Sequence, residues 1–182
     1  ATHVVKLNDI IFAFSGALNP GNTEFGDYLV KHGDGVKDIA FAVEDCKASH
    51  EWAVSRGAKS VLAPVEMKDE FGTVIMATIQ TYDDTVHSLV QWVDYTGPFL
   101  PGFWPATLTE PFNELIERPK ALRIDHIAHN MMDMDMEPTA EWYEKMLDFH
   151  RFWSVDESVL HTDYSALRST VMADFDENIK LP

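Results

Sequence analysis

Two stretches of this chain can be laid over each other, KDIAFAV on DHIAHNM and HEWAVSRGAK on AEWYEKMLDF. Asp38 falls on His126, Ile39 on Ile127, Ala40 on Ala128, Glu51 on Glu141 and Trp52 on Trp142, at a spacing of 88 to 90 residues. A period that long is outside the range of solenoid repeats. It suits a duplicated module of one strand, one helix and about three strands, paired with another so that the sheets form a half-open barrel. The expected class is therefore α+β. At position 126 one copy carries a histidine where the other carries Asp38.

The second copy opens on the stretch expected to carry the chemistry, residues 122 to 153. Period-2 alternation puts Leu122, Ile124, His126 and Ala128 on one face of a strand, with Asp125, Ile127 and His129 on the other. His126 thus sits on an otherwise apolar face. Pro138 suits a first helical turn, and Ala140, Tyr143 and Leu147 follow at i, i+3 and i+7, giving a helix one stripe to lay on the sheet. A strand near FHRFWSV follows, then an irregular DESVLHTDY, the strand SALRSTVMAD and a closing IKLP.

The first copy, about 33–96, is built the same way. Ile39, Phe41 and Val43 alternate in a half-buried strand, and EDCKASHEWAVSRGAK reads as a helix ending near Arg56, with Gly57 at C′. Three β segments come next: SVLAPVEM broken by Pro64, then TVIMATIQTY, then VHSLVQWVDY. Upstream, residues 4–14 read as β structure and SGALNPGNTEFGD as a loop. Residues 97–121 hold five of the nine prolines and show no period, so they read as an ordered linker packed along both neighbours. The division expected is 1–104 as the end of an N-terminal domain, 105–121 as linker and 122–182 as the start of a second domain.

Charge and cysteine content narrow the partners. A formal net charge of −16 repels phosphate backbones and anionic membrane surfaces, which argues against nucleic acid. The densest acidic patch, DMDME at 133–137, reads as solvated surface. No apolar run reaches the ~18 residues of a membrane span, and the first residues lack a signal-peptide pattern. One cysteine, Cys46, leaves no intramolecular disulfide and fits a reducing compartment.

There is no phosphate loop, paired-cysteine metal site or nucleophile elbow. His126 and His129 spell H-x-x-H, yet on a strand they leave opposite faces and cannot share an ion. Taken alone, His126 reads first as a hydrogen-bonded core histidine, as do His87, His150 and His161. Ser169 shares a face with Leu167, Val171 and Ala173 and needs a polar partner, for which a neighbouring carbonyl is favoured over a ligand.

The motifs SGALNP, GDYLVKHGDGVKDIAFAVEDC, QTYDDTVHSLV, FLPG, IDHIAHN, EWYEKMLDFHRFWSVDE and YSALRSTVMAD with IKLP run through the chain in order. On these residues the chain resembles the 4-hydroxyphenylpyruvate dioxygenase family, most closely its animal forms. That family belongs to the vicinal oxygen chelate superfamily, built from repeated βαβββ modules, four in two domains. The resemblance implies that His126 is the first Fe(II) ligand, that Ser169 lines the substrate pocket and that Ala128 holds an aliphatic wall position, usually valine. It places the second His and the Glu ligand beyond IKLP, so the chain is expected to be a central fragment with incomplete half-barrels, inactive alone.

The activity so implied is Fe(II)-dependent conversion of 4-hydroxyphenylpyruvate and O₂ to homogentisate and CO₂, a step of tyrosine catabolism in a cytoplasmic homodimer. Two alternatives share the fold: a hydroxymandelate synthase-like dioxygenase and a non-catalytic binding paralogue.

Overall fold

The computed structural model describes residues 1–106, 111–117, 119–132 and 134–182. The chain opens on an antiparallel hairpin of β1 (Thr2–Leu7) and β2 (Ile10–Ser15), closed at Asn8 and Asp9, with Asn8 left-handed at φ 52°. Helix α1 (Thr23–His32) follows. Part of it was expected to be loop, from the Gly, Pro and Asn of SGALNPGNTEFGD. The Asn22 side chain instead accepts the Phe25 N–H at 3.1 Å, a cap that starts a helix despite Gly26 inside it.

The first module runs β3 (Phe41–Ala42), α2 (Cys46–Ser55), β4 (Lys59–Asp69), β5 (Gly72–Gln80) and β6 (Val86–Trp92). Its sheet has the order β3-β6-β5-β4, with β3 parallel to β6 and the other pairs antiparallel. Asp45 caps α2 through the Ala48 N–H at 3.0 Å, and the helix stops at Arg56 before Gly57, as its sequence indicates. Pro64 does not break β4. Because β4 is an edge strand, the ring needs no ladder partner, and the register slips between Leu62 and Val65 to let it through.

Past β6 the linker begins by packing. The Thr96 N–H donates to the Phe71 carbonyl at 2.8 Å, the Gly102 N–H to an Asp69 carboxylate oxygen at 3.1 Å, and Phe99 meets Phe103 edge-on. Further along, the short α3 (Phe112–Leu115) leaves Phe112, Leu115 and Ile116 exposed. The first part therefore packs on one of the two neighbours expected, the first module, while residues 107–110 and 118 lie outside the described residues. Asp133 of the acidic patch does too.

The second module contains α4 (Met136–Leu147), β7 (His150–Val155), β8 (Ser169–Ala173) and β9 (Lys180–Leu181), in a sheet ordered β7-β8-β9. The strand expected over 122–129 is an extended segment, not a regular strand. Its Ile127 N–H donates to the Lys180 carbonyl at 3.2 Å and its His129 N–H to Pro182 at 2.8 Å, two bonds that run parallel to β9. The two-residue β9 offers too short an edge for more. In the first module Ile39 donates to Val86 and Val43 to Val90 in the same sense. The two modules thus share strand order and direction, as a duplicated module of α+β type requires.

The two modules close on one core. Helices α2 and α4 lie side by side, and Ile39, Phe41, Cys46, Ala77 and Leu89 pack with Ala140, Tyr143, Phe149, Met172 and Leu181. The Arg56 guanidinium lies over Trp52, 3.6 Å from the ring centre, and pairs with Asp148 at the end of α4. Among the described residues no helix is long and apolar enough to cross a membrane.

Candidate functional site

The β7-β8-β9 sheet has one side committed to packing, where Ile127, Met172 and Leu181 meet the core under α4. Its other side is open. There His126, Ser169, Val171, Lys180 and Pro182 line a cleft of about 350 Å³. The wall opposite comes from β7 and the irregular stretch after it, through Phe152, Trp153, Leu160 and Leu167.

Two consecutive aromatic residues reach one cleft because β7 carries a bulge. Arg151 pairs with Met172 and Trp153 with Val171, so Phe152 is the extra residue and the ordinary alternation is lost there. Phe152 also takes the Lys180 ammonium over its face, 5.6 Å from the ring centre. Trp153 is 57% exposed and Leu167 49%, so the cleft is apolar and open, while Val171 is buried at 8% because it sits in the middle strand.

His126 is half-exposed in this cleft, and its Nδ1 lies 2.8 Å from an Asp125 carboxylate oxygen. Strict alternation would send those two side chains to opposite faces; the irregular backbone before Ile127 lets them meet. The bond favours the ionised carboxylate and holds Asp125 below its usual range. Ser169 lines the same cleft, and among the described residues its hydroxyl has no hydrogen-bond partner, so the expected carbonyl is absent. Ala128 is exposed and does not line the cleft. It shares a face with His126 but sits two residues, roughly 7 Å, further along the segment.

The other histidines divide by environment. His87 is a core residue as expected, fully buried, with Nδ1 at 2.8 Å from the Ile39 carbonyl and Nε2 at 2.8 Å from the Tyr143 hydroxyl. Burial drives its pKa down to about 4. His129 faces the core beside Tyr82 and Tyr143, on the side of the segment away from the cleft, and burial lowers its pKa too. His150 does not match the core reading: it is exposed, 3.5 Å from Glu177. His161 is exposed as well, at an isolated bridge to Ala166, because its stretch lies off the packed sheet.

One trio of His and carboxylate groups converges among the described residues, His32 with Asp83 and Asp84, all exposed and already bonded by Lys31. It lies in the first module, apart from His126. A second cavity of about 420 Å³, between the modules, is lined by apolar residues such as Phe41, Trp52, Leu147 and Phe149 together with Ser49, and no titratable side chain faces it. The His126 cleft is therefore the candidate site. Lys180 and the Phe152–Trp153 pair were not anticipated as parts of it. The alternating positions of IKLP could have flagged Lys180, whereas a bulge leaves no sequence signal.

The donor set fits one position on a divalent metal. His126 offers an imidazole nitrogen of the kind that suits iron, and among the described residues no second His or carboxylate turns into the cleft beside it. No family model matches the chain. Curated relatives match over its whole length: a 4-hydroxyphenylpyruvate dioxygenase from Dictyostelium discoideum at 48% identity, one from Caenorhabditis briggsae at 47% and one from Xenopus tropicalis at 46%. The chain spans about half the length of these relatives, from 46% to 50%. Among solved structures, a mutant 4-hydroxymandelate synthase from Streptomyces coelicolor superposes on 99% of this chain and 49% of its own, with a TM-score of 0.75 and 22% identity. A xylose isomerase-like TIM barrel/4-hydroxyphenylpyruvate dioxygenase fusion protein matches all of this chain and 26% of its own, with a TM-score of 0.65 and 17% identity.

Proposed function

We propose that the chain belongs to the 4-hydroxyphenylpyruvate dioxygenase family, which its 46–48% identity to three such relatives supports, and that it contributes one iron ligand and one wall of the substrate pocket to an Fe(II)-dependent dioxygenase. That enzyme converts 4-hydroxyphenylpyruvate and O₂ to homogentisate and CO₂. The observation that carries the reading is that His126 and Ser169, far apart in sequence, line one apolar cleft in a chain whose curated relatives bear that name. The remaining His and Glu ligands would come from residues outside this chain. Likeness to the hydroxymandelate synthase, at 22% identity, carries the fold alone.

Fe(II) held by two His and one carboxylate would supply open coordination for a chelating 2-oxo acid and activation of O₂. The chain's own residues do the rest. His126, which lines the cleft, would hold the metal. Phe152, Trp153 and Leu167 present apolar surface to a phenyl ring. The Ser169 hydroxyl is free to hydrogen-bond a polar group of the substrate. Lys180, at the same cleft in a strongly acidic chain, attracts the anionic 2-oxo acid.

The test uses the polypeptide from the complete reading frame that encodes this segment. Homogentisate formation and substrate-dependent O₂ uptake are expected from it, and both should be lost in His126→Ala together with bound iron. Full turnover by that variant would remove His126 from the site, and absence of homogentisate from the unaltered protein would refute the activity.

A further inference from the structure

We propose, on the reading that His126 is an iron ligand, that Asp125 is a positioning residue: it fixes the His126 imidazole with its proton on Nδ1 and so leaves the Nε2 lone pair to the metal. The contact that points there is Asp125 Oδ2 to His126 Nδ1 at 2.8 Å. An ionised carboxylate can only accept, so the hydrogen in that bond belongs to the ring. A neutral imidazole has one ring proton. With Nδ1 holding it, Nε2 is bare, and among the described residues nothing bonds to it.

Placement separates this role from that of a ligand. His126 lines the cleft while Asp125 does not, and Asp125 is the more exposed of the two, at 77% against 53% for the side chains. The carboxylate therefore acts on the metal site through the ring. Two features make the contact more than a chance surface pair. The residues are adjacent in sequence, so little extra chain must be ordered to bring them together. The backbone also leaves regular alternation at this point, without which the side chains would diverge. A carboxylate on the outer nitrogen of a metal-bound imidazole orients the ring and raises its basicity, and losing it commonly lowers metal affinity about 10–100-fold.

The tautomer can be read without metal or turnover. Histidine-labelled nitrogen-15 NMR of the 182-residue chain, at about pH 8 where an ordinary histidine is neutral, assigns the His126 ring nitrogens, with His126→Gln identifying the signals. The expected result is Nδ1–H in the unaltered chain, a shift toward Nε2–H in Asp125→Ala, and retention of Nδ1–H in Asp125→Asn, whose amide oxygen can still accept. In the complete protein, chelator competition should show Fe(II) affinity falling about 10–100-fold in Asp125→Ala and recovering in Asp125→Asn. An Nε2–H ring in the unaltered chain, or a tautomer indifferent to Asp125→Ala, overturns the proposal. Iron affinity lost in His126→Ala but unchanged in Asp125→Ala overturns the positioning role and leaves the ligand reading standing. Affinity unchanged in His126→Ala overturns both.

Discussion

The Tyr143 hydroxyl donates to His87 Nε2 across 2.8 Å, joining the helix of the second module to the inner strand of the first. The direction of that bond is set at the other end of the ring. His87 Nδ1 faces the Ile39 carbonyl at 2.8 Å, and since a carbonyl can only accept, Nδ1 carries the proton and Nε2 must accept. Both side chains are essentially without solvent contact, at 0% and 1% exposure. The modules are therefore held by a buried, directional contact in addition to apolar packing.

Tyr143→Phe keeps the ring and removes the donor, leaving a buried imidazole nitrogen unpaired. A loss of about 1–3 kcal/mol is expected, measured by urea unfolding. Because the bond lies in the shared core, tryptophan fluorescence and far-UV dichroism should still report one coincident transition. Separate transitions for the two modules, or an unchanged midpoint, would count against a shared core held in this way.

The same burial makes stability depend on pH. Removal from solvent pushes the His87 pKa down to about 4 against an ordinary value near 6.5, so between those values the unfolded chain binds the proton and the folded chain does not. The stabilising contribution is whole above about pH 6.5 and is lost as pH falls toward 4, by about 3 kcal/mol if His87 acts alone. His129 is shifted the same way and adds to the slope. Urea titrations across that window should show the decline in the parent and a shallower one in His87→Gln. An equal slope in both would mean that His87 is protonated in the fold.

How much of this was legible depended on whether the cause was local. The ends of α2, the stripe of α4 and the strands β5 and β6 each follow from patterns a few residues wide, and each is present. Helix α1 was half missed because Pro20, Gly21 and Gly26 read as loop signals, although Phe25, Tyr28 and Leu29 fall at helical spacing behind the Asn22 cap. Pro64 was read as a break because sequence does not say which strand is an edge. In the site, His126 and Ser169 line one cleft. Ala128 does not join them, since sharing a face is not sharing a cleft. The Asp125 contact runs against alternation, and the Tyr143–His87 bond joins residues 56 positions apart, so neither leaves a local trace.

Glycine substitutions should separate strain from propensity. At Gly72 the backbone is at φ 124°, and an added Cβ would lie 2.5 Å from the Asp94 carbonyl oxygen, so Gly72→Ala must force apart the turn that starts β5. A cost of about 2 kcal/mol is expected. Gly26 lies inside α1 with open space around it, and Gly26→Ala should instead stabilise by about 0.5–1 kcal/mol. Thermal unfolding of both variants tests the contrast; equal shifts would show that the close approach at Gly72 is not felt.

The 182-residue chain on its own should neither hold iron stoichiometrically nor form homogentisate. In the His126 cleft one imidazole nitrogen is available; Asp125 is occupied with the outer nitrogen of the same ring, and His129 faces the core. A single imidazole does not compete well with water for a labile divalent ion, which needs a preformed set of ligands. The exposed trio of His32, Asp83 and Asp84 is no substitute, because Lys31 already bonds both carboxylates at 2.8 and 2.6 Å. Anaerobic loading with Fe(II), gel filtration and metal analysis should therefore find well under one iron per chain, and assays with 4-hydroxyphenylpyruvate and ascorbate should find no product. Since His126 is half-exposed and packs little, His126→Ala should change the unfolding free energy by no more than about 0.5 kcal/mol. One iron per chain, lost in His126→Ala and accompanied by homogentisate, would show that this cleft already holds a complete ligand set and that the division of ligands proposed above is wrong.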